Sequence, residues 1–266
     1  MPMNPEYAAT LILRAFAAVP LPIRKGLFLG LARLFYLAVP RQRLIALYNL
    51  TRAFPEKSPA EIRRIALGVY RNMGLVAAEL FDTPRLTREN IHERVSVEGM
   101  EHCLRALEKG KGVLFFTAHF GNWELSATAF ALLVKPLIAL YRPLDNPVLD
   151  AVVRRIRESA GNKTLPKEHA MRPMLRALKE NGILGVLIDQ NVAWYEGVFV
   201  PFFGRPACTT DGLALLALHT GAPVVPGFLI RQPDGRYRLE IQPEVETIPS
   251  GDRRQDILSH TRRYTA

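Results

Sequence analysis

The stretch GVLFFTAHFGNWELSATA, from Gly112 to Ala129, constrains this chain more than any other. Val113 to Thr117 form an apolar run without alternation, the pattern of a strand covered on both faces. His119 falls just beyond that strand's end. Gly121 permits a tight turn, Asn122 can cap a helix, and Glu124 lies in the helix's first turn, where unpaired amides favour a carboxylate. A chain with this stretch is committed to strand, turn and helix in quick succession, the unit from which layered α/β folds are built.

The polar spacing is H-x-x-x-x-E. On one continuous helix, residues five apart differ by about 140° and do not meet. Across a strand, a turn and a helix they can converge. The expectation is an imidazole whose tautomer is fixed by Glu124 while its other nitrogen faces a substrate, a base with its orienter. Neither Ser nor Cys lies between the two, and nothing around Ser126 resembles a G-x-S-x-G elbow. Cys103 and Cys208 are the only cysteines, which gives neither a disulfide framework nor a metal cluster. His119, His169 and His219 make no recognisable ligand array, and H-E-x-x-H is absent, so no metal and no cofactor is expected.

Charge distribution narrows the choice of partner. A formal charge of +10 admits nucleic acid, an anionic membrane or an acidic protein. Between Met1 and Pro55 the basic residues Arg14, Arg24, Lys25, Arg33, Arg41, Arg43 and Arg52 face only the acid Glu6, in a segment rich in Leu, Ala, Phe, Ile and Val. A nucleic-acid arm is more polar, so an anionic phospholipid membrane is expected and nucleic acid is not. The blocks LILRAFAAVPLPI and GLFLGLARLFYLAVP each fall short of the roughly 20 apolar residues of a spanning helix. Residues 1–43 therefore read as a helical segment lying on the membrane, peripheral or N-terminally anchored, without a cleaved leader. No linker or repeat divides residues 44–266, which are expected to form a single α/β domain. Nothing in the sequence sets an oligomeric state.

Ser58, Pro59 and Glu61 make a capping-box signature that opens a helix through ALGVYRNMGLVAAELF. Within that helix Tyr70, Asn72 and Glu79 are polar interruptions able to face a cleft, the packed interior or solvent. Arg94 to Glu98 read as a strand and Glu101 to Lys109 as a helix. Pro136 to Leu140 form a strand ending at Tyr141-Arg142-Pro143, and Val152 to Ser159 a helix bearing Arg154, Arg155 and Arg157. Glu168 to Glu180 form a helix stopped by Asn181-Gly182, after which the strand GILGVLI ends at Asp189-Gln190. Strands of this kind, separated by helices and each ending in polar residues, predict an α/β sheet with its site along the strand ends. Asn122, Arg142, Arg154, Arg155, Arg157 and Asp189 are thus candidate substrate contacts. The segment VFVPFFGR adds Gly204 and Arg205 to them, while its Phe199, Phe202 and Phe203 either join the core or line a tunnel. Thr210 can cap the helix DGLALLALHT, where His219 reads as structural, and Pro223 to Ile230 and Tyr237 to Ile241 read as two more strands.

AHFGNWEL, IALYRPLDNPVLD, IDQN, GVFVPFFGRPACTTDGLALLALHTGAPVVP, GRYRLEI and the upstream ALYNLTRAFPEKSPAEIRRIA closely resemble the lipid A biosynthesis late acyltransferases, also called the lauroyl/myristoyl acyltransferase family, over almost the whole chain. The resemblance implies a central mixed β-sheet flanked by helices, glycerolipid-acyltransferase-like, at the cytoplasmic face of a bacterial inner membrane. It implies transfer of a fatty acyl group from acyl carrier protein, or from acyl-CoA, to a hydroxyl of an acylated glucosamine lipid. His119 becomes the general base, Glu124 its charge partner, Arg157 (with Arg154 or Arg155 as alternatives) and Asp189 further site residues, and Phe199, Phe202 and Phe203 an acyl pocket. Backbone amides near Phe120 to Asn122 and an arginine both stay open as oxyanion donors. The broader glycerolipid acyltransferases more commonly carry H-x-x-x-x-D; Glu124 favours the lipid A branch and relatives that acylate other glycolipids. A thioester or ester hydrolase is the nearest competing chemistry, since water can take the acceptor's place. Members of the family it resembles commonly continue with a further helix and a Trp- and basic-rich ending, whereas this sequence stops at HTRRYTA, so that final helix is expected to be either absent or removed from the sequence shown.

Overall fold

A computed structural model describes residues 4–168 and 170–266. Met1 to Met3, at the start of the expected membrane segment, and His169, one of the histidines weighed as a ligand, lie outside the described residues. The centre is a seven-stranded sheet in the order β1 (Val95–Glu98), β9 (Tyr237–Ile241), β8 (Val224–Arg231), β2 (Val113–Thr117), β5 (Ile183–Leu187), β3 (Ile138–Tyr141) and β4 (Lys163–Pro166). From β8 through β4 the neighbouring strands are parallel; β9 runs antiparallel to β8, and β1 parallel to β9. The sheet is mixed, as expected.

The apolar run of β2 follows from its place. Val113 and Phe115 join a core with Leu125, Phe130 and Leu239, while Leu114 and Phe116 join another with Leu178, Leu184, Leu213 and Leu216. Both faces are covered over Val113 to Phe116, so only the strand's last position, Thr117, carries a polar residue. Helices α5 (Met100–Glu108) and α6 (Trp123–Leu133) serve the first core. The second is served by α8 (Met171–Lys179), α9 (Gly212–Thr220) and, through Tyr264, by α10 (Arg253–Tyr264). A separate antiparallel hairpin, β6 (Gly197–Phe202) and β7 (Arg205–Thr210), stands apart from the main sheet.

Four helices open the chain: α1 (Pro5–Ala18), α2 (Leu21–Ala38), α3 (Pro40–Ala53) and α4 (Pro59–Leu80). Pro20 sits at the break between α1 and α2, whose axes differ by 110°. Ser58 and Glu61 close the capping box that starts α4. The expected division after Arg43 falls inside α3, which runs unbroken across it. Packing explains why: α2 lies against α4, where Gly74 leaves only 2.9 Å between the place of a Cβ and the Phe28 carbonyl oxygen. Arg24, fully buried, pairs with Asp82, to which Arg94 also donates at 3.4 Å. α1 is held to α7 (Pro147–Glu158) by Glu6, which accepts from both Arg154 and Arg155.

Among the described residues no single helix is long and apolar enough to cross a membrane, though the bent pair α1 and α2 reaches that length together. Ile23, Leu27, Leu31 and Leu34 make an exposed stripe along α2, continued by Leu44, Ile45 and Tyr48 on α3. Spacings of four, four and three put the α2 residues on one face. An exposed apolar stripe of this kind is a candidate interaction surface.

Candidate active site

Strand register brings the site together. In the β2–β5 pair the last residues, Thr117 and Leu187, lie opposite each other, and His119 and Asp189 each follow two residues beyond. Parallel neighbours place those two residues side by side at their carboxyl ends. The Asp189 carboxylate accepts the backbone N–H of His119 at 2.9 Å through Oδ2, and Oδ1 meets the imidazole Nδ1 at 2.8 Å. An ionised carboxylate only accepts, so the Nδ1 atom carries the hydrogen and Nε2 presents its lone pair. Gln190 Nε2 stands 3.5 Å from that lone pair. Burial alone would raise the Asp189 pKa, but the ring and amide hydrogen bonds from His119 outweigh it and hold the group below its ordinary value. Trp123 flanks the imidazole at 5.4 Å between ring centroids.

Glu124 is not the partner of His119. Its carboxylate forms a bidentate pair with Arg157 of α7, Nε to Oε2 at 2.9 Å and Nη2 to Oε1 at 2.6 Å, and among the described residues no hydrogen bond joins it to the imidazole. The reason lies in the turn. Gly121, at φ +60°, is pressed so closely on β8 that a Cβ would come within 1.8 Å of the Leu229 carbonyl oxygen. Only glycine fits there. With the turn pinned, Glu124 leaves the first turn of α6 towards α7, while β5 supplies the carboxylate that reaches His119. The Arg157 pKa is lowered by burial and raised more strongly by the Glu124 hydrogen bonds, so it moves up.

The other expected substrate contacts divide sharply. Asn122 is 1% exposed: Oδ1 caps α6 by accepting Leu125 N–H at 3.0 Å, and Nδ2 donates to Glu79 at 2.9 Å, so it is an internal brace and not a substrate contact. Arg154 and Arg155 are spent on Glu6. Arg142 stands in solvent on the loop after β3, 3.9 Å from Asp145. Gly204 turns the β6–β7 hairpin in open space at φ +70°, and Arg205 donates to the Arg52 carbonyl of α3 at 3.1 Å.

A cavity of about 1010 Å³ opens beside the pair, with Thr117, Ala118, Asp189 and Gln190 in its wall. Its apolar lining comes from Leu50 of α3 and Phe54 just after it, Phe116 of β2, Ile188 just after β5, and Phe202 and Phe203 of the hairpin. Phe203 and Phe54 meet edge to face at 5.2 Å, joining hairpin to helix over the cavity. Phe199 does not line it; its side chain lies exposed on β6. Among the described residues no group of three His, Cys, Asp or Glu could hold a metal.

Glu79 was visible only as an interruption in an apolar helix. It is buried, and its carboxylate accepts from Arg231 at 2.8 and 3.0 Å, Lys25 at 3.0 Å, Asn122, and the Tyr237 hydroxyl. Burial pushes its pKa up, yet hydrogen bonds from Arg231 and Tyr237 prevail and leave it below the usual value; Tyr237 is pushed well up by burial and by the Glu79 charge.

The profile of the bacterial lipid A biosynthesis acyltransferases matches residues 4–263. A lipid A biosynthesis lauroyltransferase of Escherichia coli (strain K12) is 30% identical over 258 residues, which cover 94% of this chain and 83% of that protein. A phosphatidylinositol mannoside acyltransferase of Mycolicibacterium smegmatis is 27% identical over 202 residues, 74% of this chain and 64% of that one. The crystal structure of the 1-acyl-sn-glycerophosphate acyltransferase of Thermotoga maritima aligns with 92% of this chain and 96% of its own at 17% identity and a TM-score of 0.38.

Proposed function

Because the chain belongs to the bacterial lipid A biosynthesis acyltransferase family and is therefore an acyltransferase, we propose that it moves a fatty acyl group from a carrier thioester directly to a hydroxyl of an acylated glucosamine lipid. The observation that carries this reading is His119, its Nδ1 held by Asp189 and its Nε2 met only by the long Gln190 contact, beside an apolar cavity. A lipid hydroxyl has a pKa far above neutrality and attacks poorly unless a base takes its proton. Nε2 accepts that proton as the hydroxyl oxygen attacks the thioester carbonyl. Asp189 balances the imidazolium. The tetrahedral oxyanion then collapses, the carbon–sulfur bond breaks, and the thiolate leaves with the proton returned by Nε2.

The oxyanion needs donors aimed at it. The amides of His119 and Asn122 are engaged by Asp189 and Leu229, which leaves those of Phe120 and Gly121 for this task. Glu124 acts through Arg157, fixing the guanidinium beside the start of α6. The acyl chain lies in the cavity against Phe202 and Phe203. The donor is acyl carrier protein or acyl-CoA, and an acidic carrier would meet exposed cations such as Arg142. The exposed stripe of α2 and α3 rests on an anionic bilayer at the cytoplasmic face of the inner membrane. The mycobacterial relative supports a second acceptor, another membrane glycolipid, served by the same chemistry.

Product analysis with an acyl-carrier thioester, with and without a glucosamine lipid, tests the assignment. His119→Ala is expected to lower kcat by about 10²- to 10⁴-fold. Glu124→Ala and Arg157→Ala should lose similar amounts, and the double variant no more than either, because neighbours acting as one unit are not additive. Near-normal turnover by His119→Ala, or thioester consumption indifferent to the acceptor, rules the reading out.

A further inference from the structure

We propose that Asn72 and Glu79 of α4 are positioning residues that hold the turn bearing His119, and so set the imidazole's aim for acyl transfer. The inference rests on His119 being the base. Asn72 Nδ2 donates to the Gly121 carbonyl at 2.8 Å. Glu79 Oε2 accepts from Asn122 Nδ2 at 2.9 Å, and Asn122 Nδ2 also reaches the Tyr237 hydroxyl at 3.2 Å. One helix therefore grips two successive residues of the turn, two and three positions beyond the imidazole. Seven residues span about 700° of helix, roughly 20° short of two full turns, so Asn72 and Glu79 share a face and stand about 10.5 Å apart along the axis.

The two grips differ in kind. Asn72 fixes the backbone at Gly121, where the other side of the turn meets Leu229 of β8. Glu79 fixes a side chain: with its Nδ2 held, the Asn122 Oδ1 is aimed at Leu125 N–H and starts α6. Glu79 is itself immobilised by Arg231 of β8 and Lys25 of α2, two cations on one buried carboxylate. α4 reaches the cavity wall through Val69, but Asn72 and Glu79 are among neither the lining nor the partners of His119. Their direct contacts with the site are made to the turn.

The test compares Asn72→Leu, Asn72→Gln, Glu79→Gln and, as a control, Asp82→Asn. Asp82 is as buried as Glu79 and lies two residues past the same helix, but its side-chain partners are Arg24 and Arg94 and it makes no contact with the turn. Each full-length protein is assayed for kcat, KM and the pH dependence of kcat, with Tm measured alongside. Asn72→Leu and Glu79→Gln are expected to lower kcat of order 10- to 100-fold, the cost of a small misplacement of reacting groups, with little change in KM and a displaced acid limb of the pH profile. Asn72→Gln, which keeps a donor, should recover part of the loss. Asp82→Asn should lower Tm while kcat and the pH profile stay with the wild type. Should Glu79→Gln fail to fold, half-exposed Asn72 carries the test alone. The proposal is overturned if folded Asn72→Leu keeps wild-type kcat and pH profile, or if Asp82→Asn loses as much kcat with the same displaced limb. Activity in His119→Ala would instead remove the base assignment on which it rests.

Discussion

Asp189 gives the site a measurable acid signature. Its pKa lies below the ordinary value of about 3.9 because His119 donates to it twice in the folded state. The unfolded chain then binds more protons at this group, so stability rises with pH across its titration. The contribution is fully present above about pH 5 and fades as pH falls through the folded-state value. Asp189→Asn should therefore lose stability less steeply than the wild type when Tm is followed from about pH 6 down to 3; parallel curves would mean that the His119 bond gives Asp189 no preference for the charged form. Sequence reading reached both residues, each as the polar end of an apolar strand. It could not pair them. That pairing depends on β5 lying beside β2, with α6, β3, α7, β4 and α8 between them in the chain, and strand order is set by how the whole sheet packs. Glu124, only five residues from His119, looked nearer than it is because a turn pinned at Gly121 sends it elsewhere.

Elements that announce themselves by composition were legible, and those defined by their surroundings were not. β2, β5 and β8 are apolar runs covered on both faces, and α4 carries its capping box in plain sequence. β4 is only Lys163–Pro166 at the sheet's edge, with too little apolar content to signal a strand. α10 is a polar helix whose buried Asp256, His260 and Tyr264 are legible only from its packing. The β6–β7 hairpin read simply as a hydrophobic segment, yet its turn sets Phe202 and Phe203 over the cavity and leaves Phe199 outside. If those two rings bound the acyl chain, turnover across a series of chain lengths should change by up to about fourfold per methylene, the equivalent of roughly 0.8 kcal/mol. Phe202→Ala and Phe203→Ala should shift that optimum, and Phe199→Ala should not. A flat wild-type series would leave the hairpin no part in measuring the chain.

For the molecule as a whole, the N-terminal helices are both wall and surface. Arg24 and Lys25 fasten α2 to Asp82 and Glu79, whereas Ile23, Leu27, Leu31 and Leu34 face outward from the same helix. Removing the segment outright would leave buried Asp82 without Arg24, a loss that for a broken buried pair is typically about 3–5 kcal/mol. Replacing the four outward residues by Gln avoids this. Each such side chain is worth up to about 1.5–3 kcal/mol on full insertion, so partition onto anionic vesicles should fall well over about 10-fold, and activity on vesicle-bound acceptor should fall further than on a detergent-dispersed one. Unchanged co-sedimentation would place the membrane-facing surface elsewhere.

The ion pairs between Glu6 and the α7 arginines also impose an order in time. Glu6 and Arg154 are separated by 148 positions. At synthesis rates of about 5–20 residues per second, roughly 7 to 30 s pass before the ribosome delivers the partner that α1 requires. During that interval α1 is already made, with its apolar side chains available to any nearby lipid surface. α1 can therefore meet a membrane before the arginines that hold it in the fold exist.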